Sequence, residues 1–319
     1  MARSFDALVQ PPLLPPTRLA QRAAEGFAIT VELDPPRGFD PTGVFARVKD
    51  LVESGLVDTV NVSDNALAQI HMSALATCAL LQARMGVETV LHVTTRHRNL
   101  LALHAELLGA QSLGIRNVLT IRGDPPQIGD YPEATAISDI TPSELVRFIK
   151  DLNRGSSRVG AVLEHPTSFF VGCALNLNAQ DQDRELHVLE RKLKAGADFV
   201  MAQPVYDPEV VHRWVQRLGK FPVPLLLGVL PLRTFRHAEF LHNEVPGILI
   251  PKEVRDRLRG ARTPSEEGLV VAEGLLKEVH SLIGGLYMMA PFGRYKDLLE
   301  LLKRIQPFIP NLGYRGVSG

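Results

Sequence analysis

Cysteine is scarce in this chain, which holds only Cys78 and Cys173 in 319 residues, both within apolar runs. Two thiols cannot form a four-cysteine zinc or iron–sulfur site, and their burial is typical of a reduced, cytoplasmic protein. We therefore expect no metal site built by this chain.

An excess of either charge is also lacking, because 35 lysines and arginines balance 35 aspartates and glutamates. This balance argues against a nucleic-acid partner, although it leaves room for a local basic pocket. No apolar run approaches eighteen residues, and the first residues lack the features of a signal peptide, so we expect neither a membrane span nor export. With 45% hydrophobic residues, the chain can bury a large core.

Short β-rich runs alternate with amphipathic helical stretches along most of the sequence. Glycines at the ends of several helices, such as Gly86 and Gly219, are typical of repeated βα units. No Gly-x-Gly-x-x-Gly motif follows the first run, which disfavours a Rossmann fold. The pattern predicts an α/β protein with a single-domain (β/α)₈ TIM barrel. Its strands are expected at residues 28–33, 57–63, 88–95, 117–123, 169–176, 198–205, 224–231 and 284–291.

The segment before the first run is rich in proline between residues 8 and 17 and predicts an extended arm. We expect three parts: an N-terminal arm over residues 1–26, the barrel over 27–305 and a C-terminal tail over 306–319. The arm and the apolar helices favour a homo-oligomer.

Polar side chains interrupt the carboxyl ends of the predicted strands, where TIM barrels place their chemistry. They predict a polar pocket at the barrel mouth. They are Glu32, Ser63, Asn65, His92, Arg122, Asp124, Asn176 and Gln203.

Glu32 is the first candidate for catalysis, since it lies between two apolar residues and precedes a stiff Pro-Pro pair. Desolvation there would raise its pKa and suit it to act as a general acid. The alternative is a surface glutamate paired with Arg37.

The other candidates also have structural interpretations. Asp124 could cap its own turn or pair with Arg122, His92 could be a core histidine, and Gln203 could satisfy nearby backbone groups. The doublet Arg191-Lys192 indicates a solvated helix surface. These residues alone therefore predict a TIM-barrel enzyme with an acid on its first strand and leave the substrate open.

The strand-end motifs, taken together, resemble one known family. VELDPP, VNVSDN, VLHVTTRHRN, NVLTIRGDPP, LERKLKAGAD, MAQPVYD and LLLGVLPL occur in the order and approximate spacing of methylenetetrahydrofolate reductases, from about residue 27 to 302. The chain looks most like the reductase half of bifunctional proteins that also carry a homocysteine methyltransferase. These 319 residues contain no counterpart of that domain's zinc-binding cysteines.

The resemblance implies an FAD-containing barrel that reduces 5,10-methylenetetrahydrofolate to 5-methyltetrahydrofolate in one-carbon metabolism and methionine supply. It further implies a ping-pong reaction in which NADH or NADPH reduces the flavin before the folate binds. Glu32 would protonate N10 of the folate, and Asp124 would lie near the N1/C2 edge of the flavin. Gln203 would contact the pterin and the nicotinamide, with Asn65 and Leu241 as further substrate contacts.

Flavin contacts are implied for a second set of residues: Ser63, His92, Arg122, Gly123, Asp124 and Asn176. Glu185, Arg191 and Lys192 match the helix that meets the ribityl and diphosphate groups. For Arg191 and Lys192, this phosphate role replaces the surface interpretation.

Some positions depart from the family pattern. The sequence VSDN at residues 62–65 replaces a Thr-Tyr-Gly type sequence, Asn176-Leu177 replaces Tyr-Pro, and Ala136, Ile137 and Ser138 occupy a stretch where an aromatic residue is expected. These departures bear on flavin affinity and on the choice of nicotinamide. Two alternatives stay open. One is a reductase fed by a partner protein or acting without flavin, and the other is a non-catalytic folate-binding barrel.

Overall fold

Eight parallel strands close into a barrel in chain order in the computed structural model, which describes residues 14–309 and Leu312. Every strand falls within its predicted run, so the predicted TIM barrel is confirmed. The strands are β1 (Ala28–Leu33), β2 (Thr59–Val62), β3 (Glu88–Thr94), β4 (Asn117–Ile121), β5 (Phe170–Leu175), β6 (Phe199–Pro204), β7 (Leu225–Val229) and β8 (Gly285–Met288).

Helices follow the strands on the outside of the barrel, and one helix precedes β1. The predicted glycine ends are present: helix α3 stops at Gly86, whose φ of 63° suits a residue without a Cβ. The helices are α1 (Arg18–Glu25), α2 (Thr42–Glu53), α3 (Ala74–Met85), α4 (Leu100–Ser112), α5 (Pro142–Asn153), α6 (Gln182–Lys194), α7 (Pro208–Leu218), α8 (Phe235–Glu244), α9 (Lys252–Gly260), α10 (Pro264–Val279) and α11 (Tyr295–Ile305).

Successive side chains of each strand point alternately to the helices and into the barrel. On β1, Val31 and Leu33 pack in the large core under the helices, whereas Ala28 joins the interior cluster that also contains Leu119 and Phe199. Glu32 has the same parity as Ala28 and therefore points into the barrel. The alternation thus brings a carboxyl into an interior that is otherwise mostly apolar.

Helix α1 closes the amino-terminal end of the barrel. Leu19 is fully buried in the interior cluster, and the backbone N–H groups of Arg18 and Leu19 donate to the Glu88 carboxylate at 2.8 and 3.0 Å. The guanidinium of Arg18 pairs with Asp58 at 3.0 Å. Part of the stretch expected to be an arm is therefore a packed helix, and residues 1–13 lie outside the described residues. The proposed domain limits stay a prediction.

Helices α8 and α9 form a small hydrophobic unit beside the barrel mouth. Leu241, Ile248 and Val254 belong to a cluster separate from the main core. The loop between these helices, residues 245–251, runs from this cluster to the carboxyl ends of the strands. The unit therefore supplies one wall of the site.

Leu19→Ala should destabilise the fold by about 2–4 kcal/mol, because it removes a fully buried side chain from the barrel interior. Urea unfolding measures this change, and Gln21→Ala, on the exposed face of the same helix, serves as the control. A loss no larger for Leu19→Ala than for Gln21→Ala would contradict the closing role of α1.

Candidate active site

Two adjoining cavities open at the carboxyl end of the barrel. The inner cavity, of about 300 Å³, is lined by six of the predicted site residues: Glu32, Ser63, His92, Gly123, Asp124 and Gln203. The outer cavity, of about 510 Å³, is lined by Arg122, Asn176, Glu185, Arg191, Lys192 and again Gln203. Side chains from many parts of the sequence therefore meet in one composite site.

Two predicted substrate contacts lie elsewhere. Asn65 lines a neighbouring cavity formed by the loops after β2, β3 and β4. Leu241 is 6% exposed and packs in the cluster of α8 and α9, so the structure does not bring it to the inner cavity. Ile248, from the loop that follows α8, lines the inner cavity instead.

Glu32 lies on the floor of the inner cavity, where the Tyr287 hydroxyl donates a hydrogen bond to its carboxyl. Burial, and to a smaller extent the charge of Asp34, raises the pKa of Glu32 to about 8. The carboxyl is therefore protonated at neutral pH. Arg37, the surface partner considered from the sequence, pairs with Asp130 at 2.5 Å instead.

Two tyrosines that the sequence did not single out hold Glu32, one by its carboxyl and the other by its backbone. Tyr287 reaches Glu32 from β8, and the Tyr295 hydroxyl of α11 donates to the backbone carbonyl of Glu32 at 3.2 Å. Both tyrosines are less than 10% exposed. For Tyr287, the signal in the sequence was a tyrosine inside an otherwise apolar strand. It identifies a partner for Glu32 only once β8 is known to adjoin β1.

His92 is a neutral imidazole at the cavity wall. It is 3% exposed, and burial lowers its pKa to about 4. Its ring packs edge-on against Tyr287, with the centroids 6.2 Å apart. Its Nε2 is buried and has no hydrogen-bond partner among the described residues, on a side chain that lines the inner cavity.

Asp124 ties together two loops at the mouth. Its carboxylate accepts a hydrogen bond from the backbone N–H of Leu67 at 2.7 Å, rather than capping its own turn or pairing with Arg122. Leu67 lies in the loop after β2, with a φ of 56°. A strained backbone of this kind persists only where its surroundings hold it, and Asp124 supplies part of that restraint.

Asp64 is a further acidic residue of the inner cavity that the sequence did not indicate. Arg98 pairs with its carboxylate at 2.6 Å and with Glu106 at 2.5 Å. Asp64 also accepts hydrogen bonds from the backbone and hydroxyl of Thr94. This network fixes the loops after β2 and β3 to each other.

Gln203 lies at the border between the two cavities. The backbone of Gly247 packs against the side-chain amides of Gln203 and Asn176, and a Cβ at Gly247 would overlap both. Asn178 donates to the Gly247 carbonyl at 3.4 Å. The loop between α8 and α9 therefore covers the junction of the cavities.

The outer cavity is basic. Lys192 is 8% exposed, its ammonium donates to the Ala174 carbonyl at 2.6 Å, and Arg191 lies beside it on the exposed face of α6. Arg122 and the amino-terminal end of α5 line the same cavity. Cations together with a helix amino terminus suit a phosphate-bearing ligand. The surface interpretation of Lys192 is wrong, because α6 turns this side chain toward β5.

The pair of cavities suits an elongated ligand. An anionic part of such a ligand suits Arg191 and Lys192 in the outer cavity, and a part without negative charge suits the inner one. Among the helices that the structure describes, none is long and apolar enough to cross a membrane.

Comparisons with known proteins point to one family. A family model described as methylenetetrahydrofolate reductase matches residues 18–280. The chain is 25% identical over 243 residues to methylenetetrahydrofolate reductase 2 of Saccharomyces cerevisiae, with 74% of this chain and 39% of that protein covered. It is 24% identical to the 5,10-methylenetetrahydrofolate reductase of Pectobacterium carotovorum, with 66% of each covered.

The chain thus spans about two fifths of the length of the yeast relative. Among solved structures, a protein of Clostridium thermocellum superposes with a TM-score of 0.60 at 12% identity, with 91% of this chain and 99% of that one covered. Its description says that it binds two copies of 5-methyl-5,6,7,8-tetrahydrofolic acid. At this identity the likeness shows the fold alone.

Glu32→Gln should change how stability depends on pH. The folded pKa of Glu32, about 8, lies above its ordinary value of 4.5, so the stability it contributes is lost as the pH rises toward 8. His92 acts in the opposite sense, but only between about pH 4 and its ordinary pKa of 6.5. Between pH 6.5 and 8 the parent should therefore lose about 2 kcal/mol that the variant keeps.

Urea unfolding at these two pH values measures the difference. The matched control is Glu53→Gln, an exposed glutamate on α2. Equal losses in the parent and in Glu32→Gln would show that Glu32 ionises at an ordinary pKa.

Proposed function

The chain belongs to the methylenetetrahydrofolate reductase family, and we propose that it reduces 5,10-methylenetetrahydrofolate to 5-methyltetrahydrofolate with NADH or NADPH through a bound FAD. The observation that carries the proposal is the buried Glu32 carboxyl, held by Tyr287 in a cavity that Asp124 and Gln203 also line. A buried acid of this kind suits proton donation to a bound folate at neutral pH.

The residues of the two cavities fit a flavin. The unpaired Nε2 of His92 suits a polar edge of the flavin ring. Gly123, with a φ of 82°, lines the same cavity and has no side chain to keep the ring from its backbone. Arg122, Arg191 and Lys192 suit the diphosphate in the outer cavity. When bound, FAD takes hydride from the nicotinamide and gives it to the folate.

Glu32 performs the acid step of the proposed mechanism. It donates its proton to N10 of the folate, the bond between N10 and the methylene carbon breaks, and that carbon stays on N5 as an iminium cation ready for hydride. The Asp124 carboxylate faces the same cavity and stabilises the cation electrostatically. Gln203 offers both an amide donor and an acceptor to the pterin.

Tyr287 orients Glu32 for this step. Its hydroxyl fixes one carboxyl oxygen, so the other is free to face the cavity. The homo-oligomeric state and the cytoplasmic location expected from the sequence stay predictions.

Glu32→Gln should leave reduction of the flavin by NAD(P)H intact and slow folate reduction by about 10²–10⁴-fold, because glutamine has no acidic proton. Anaerobic stopped-flow absorbance follows the two half-reactions separately, and Glu53→Gln is the control. Full folate turnover by Glu32→Gln would rule out the acid role. A colourless parent, or a yellow one that neither nicotinamide bleaches, would favour a different electron source. Folate binding without turnover would favour a binding protein.

Lys192→Met should weaken FAD binding about tenfold or more, because the buried ammonium would otherwise meet the diphosphate in the outer cavity. Titration of FAD into the apoprotein, followed by flavin fluorescence, gives the dissociation constant. Lys194→Met removes an exposed charge from the same helix and should have little effect. Unchanged affinity in Lys192→Met, with the thermal midpoint of the apoprotein also unchanged, would exclude the proposed contact.

A further inference from the structure

Asn61 is a buried polar residue that the proposed mechanism does not use. It lies in the middle of β2 with none of its surface exposed, and neither its Nδ2 nor its Oδ1 has a hydrogen-bond partner among the described residues. Leaving a buried donor or acceptor unpaired costs stability, because the group has lost its bonds to water and gained none in the protein. An amide kept at this cost calls for a role in another state of the protein.

The barrel register shows which group that amide can serve. Asn61 is level with Glu32 on β1 and with Val90 on β3. All three share the parity of side chains that point into the barrel, and adjacent strands are about 5 Å apart. Since Val90 has no polar atoms, Glu32 is the polar neighbour at this level.

While Glu32 is protonated, its carboxyl is held from one side, by a single hydrogen bond. Tyr287 binds it from β8, on the opposite flank of β1 from Asn61. Once the proton leaves, both carboxylate oxygens become pure acceptors and need more donors. The side-chain NH₂ of Asn61 offers two N–H groups that have no partner among residues 14–309.

Within the described part of the chain, the lining of the inner cavity supplies no positive charge to the Glu32 carboxylate. None of the residues that line the inner cavity is a lysine or an arginine. Arg47, on α2, is not part of that lining. Its positive charge opposes the rise that burial causes in the pKa of Tyr295. The titratable groups that line the inner cavity with Glu32 are Asp64, His92, Asp124 and Tyr287. Asp34 acts on Glu32 through its charge, and Tyr295 contacts its backbone carbonyl.

We propose that Asn61 is a positioning residue that holds the Glu32 carboxylate once its proton has passed to the substrate. The Asn61 amide turns to Glu32 only in that state, which explains why it is unpaired in the resting protein. This inference rests on the proposed function for its meaning, but its central claim concerns Glu32 alone.

The test is a direct titration of Glu32 in the resting protein without folate. Infrared spectroscopy follows the C=O stretch of the protonated carboxyl, which is identified by its loss in Glu32→Gln. Asn61→Leu keeps the side-chain volume but removes the N–H donors. The acid dissociation constant of Glu32 should therefore fall about tenfold, which raises its pKa by about one unit. Asn61→Thr, which keeps a donor, should restore part of that change.

Thr59→Val is the matched control. Its hydroxyl is also buried on β2 without a partner, but it is level with Thr30, one interior layer below Glu32. It should leave the titration of Glu32 unchanged.

Kinetics give the second readout. In Asn61→Leu the rate of folate reduction should fall about tenfold and its pH profile should move upward, with the KM for folate and the rate of flavin reduction unchanged. If Glu32 titrates as in the parent in both Asn61→Leu and Asn61→Thr, the inference is wrong and the amide is only a structural cost. If the titration shifts but no variant, nor the parent, reduces folate, the proposed function fails and the role of Asn61 toward Glu32 stands.

Discussion

The hydrogen bond between Tyr287 and Glu32 joins the last strand of the barrel to the first, at the boundary between the packed interior and the cavity at its carboxyl end. Below it, the interior is filled by side chains such as Leu119 and Phe199, and Leu19 of α1 closes the end. Above it, the cavity opens to ligands. The carboxyl must be neutral to lie at this boundary, because an unpaired charge there would cost more than the contact contributes. The position of Glu32 in the barrel therefore determines its protonation state, and with it its capacity to act as an acid.

The same placement explains the other groups at the mouth. His92 is neutral because it is buried beside Tyr287, so it can offer a lone pair or an N–H without adding a charge. Asp124 and Asp64 keep their positions through backbone and arginine contacts made by the loops after β2, β3 and β4. The acid is thus fixed by the strands, whereas the surrounding carboxylates are fixed by loops that bind one another.

The sequence was sufficient to predict the barrel, since apolar runs with glycine-terminated helices have few other solutions. It was also sufficient to select Glu32 as a candidate, because a carboxyl at the end of an apolar strand is expected to be desolvated and to have a raised pKa. Tyr287 and Asn61 were missed, since their importance depends on which strands adjoin and at what register, and no local pattern carries that. Arg37 was considered as the partner of Glu32 by nearness in sequence, but its loop bends toward Asp130.

Leu241 shows the same limit from the other direction. The family resemblance implied a substrate contact for it, yet the side chain packs inside the cluster of α8 and α9, and Ile248 of the next loop lines the cavity. A residue's distance from the mouth is set by how its helix packs, which the pattern of one helix does not determine.

The charges of the site are divided between its two cavities, and this division orients any ligand that fills both. The inner cavity holds carboxyls and a neutral imidazole, which favours a species that becomes cationic, whereas the outer cavity holds Arg191 and Lys192, which favour phosphate. The uncharged amides of Gln203 and Asn176 lie between them under the backbone of Gly247. Reversing such a ligand would place its phosphates among carboxylates and leave the cations without a partner. The charges alone therefore favour the orientation that places a phosphate in the outer cavity and an uncharged or cationic group beside Glu32.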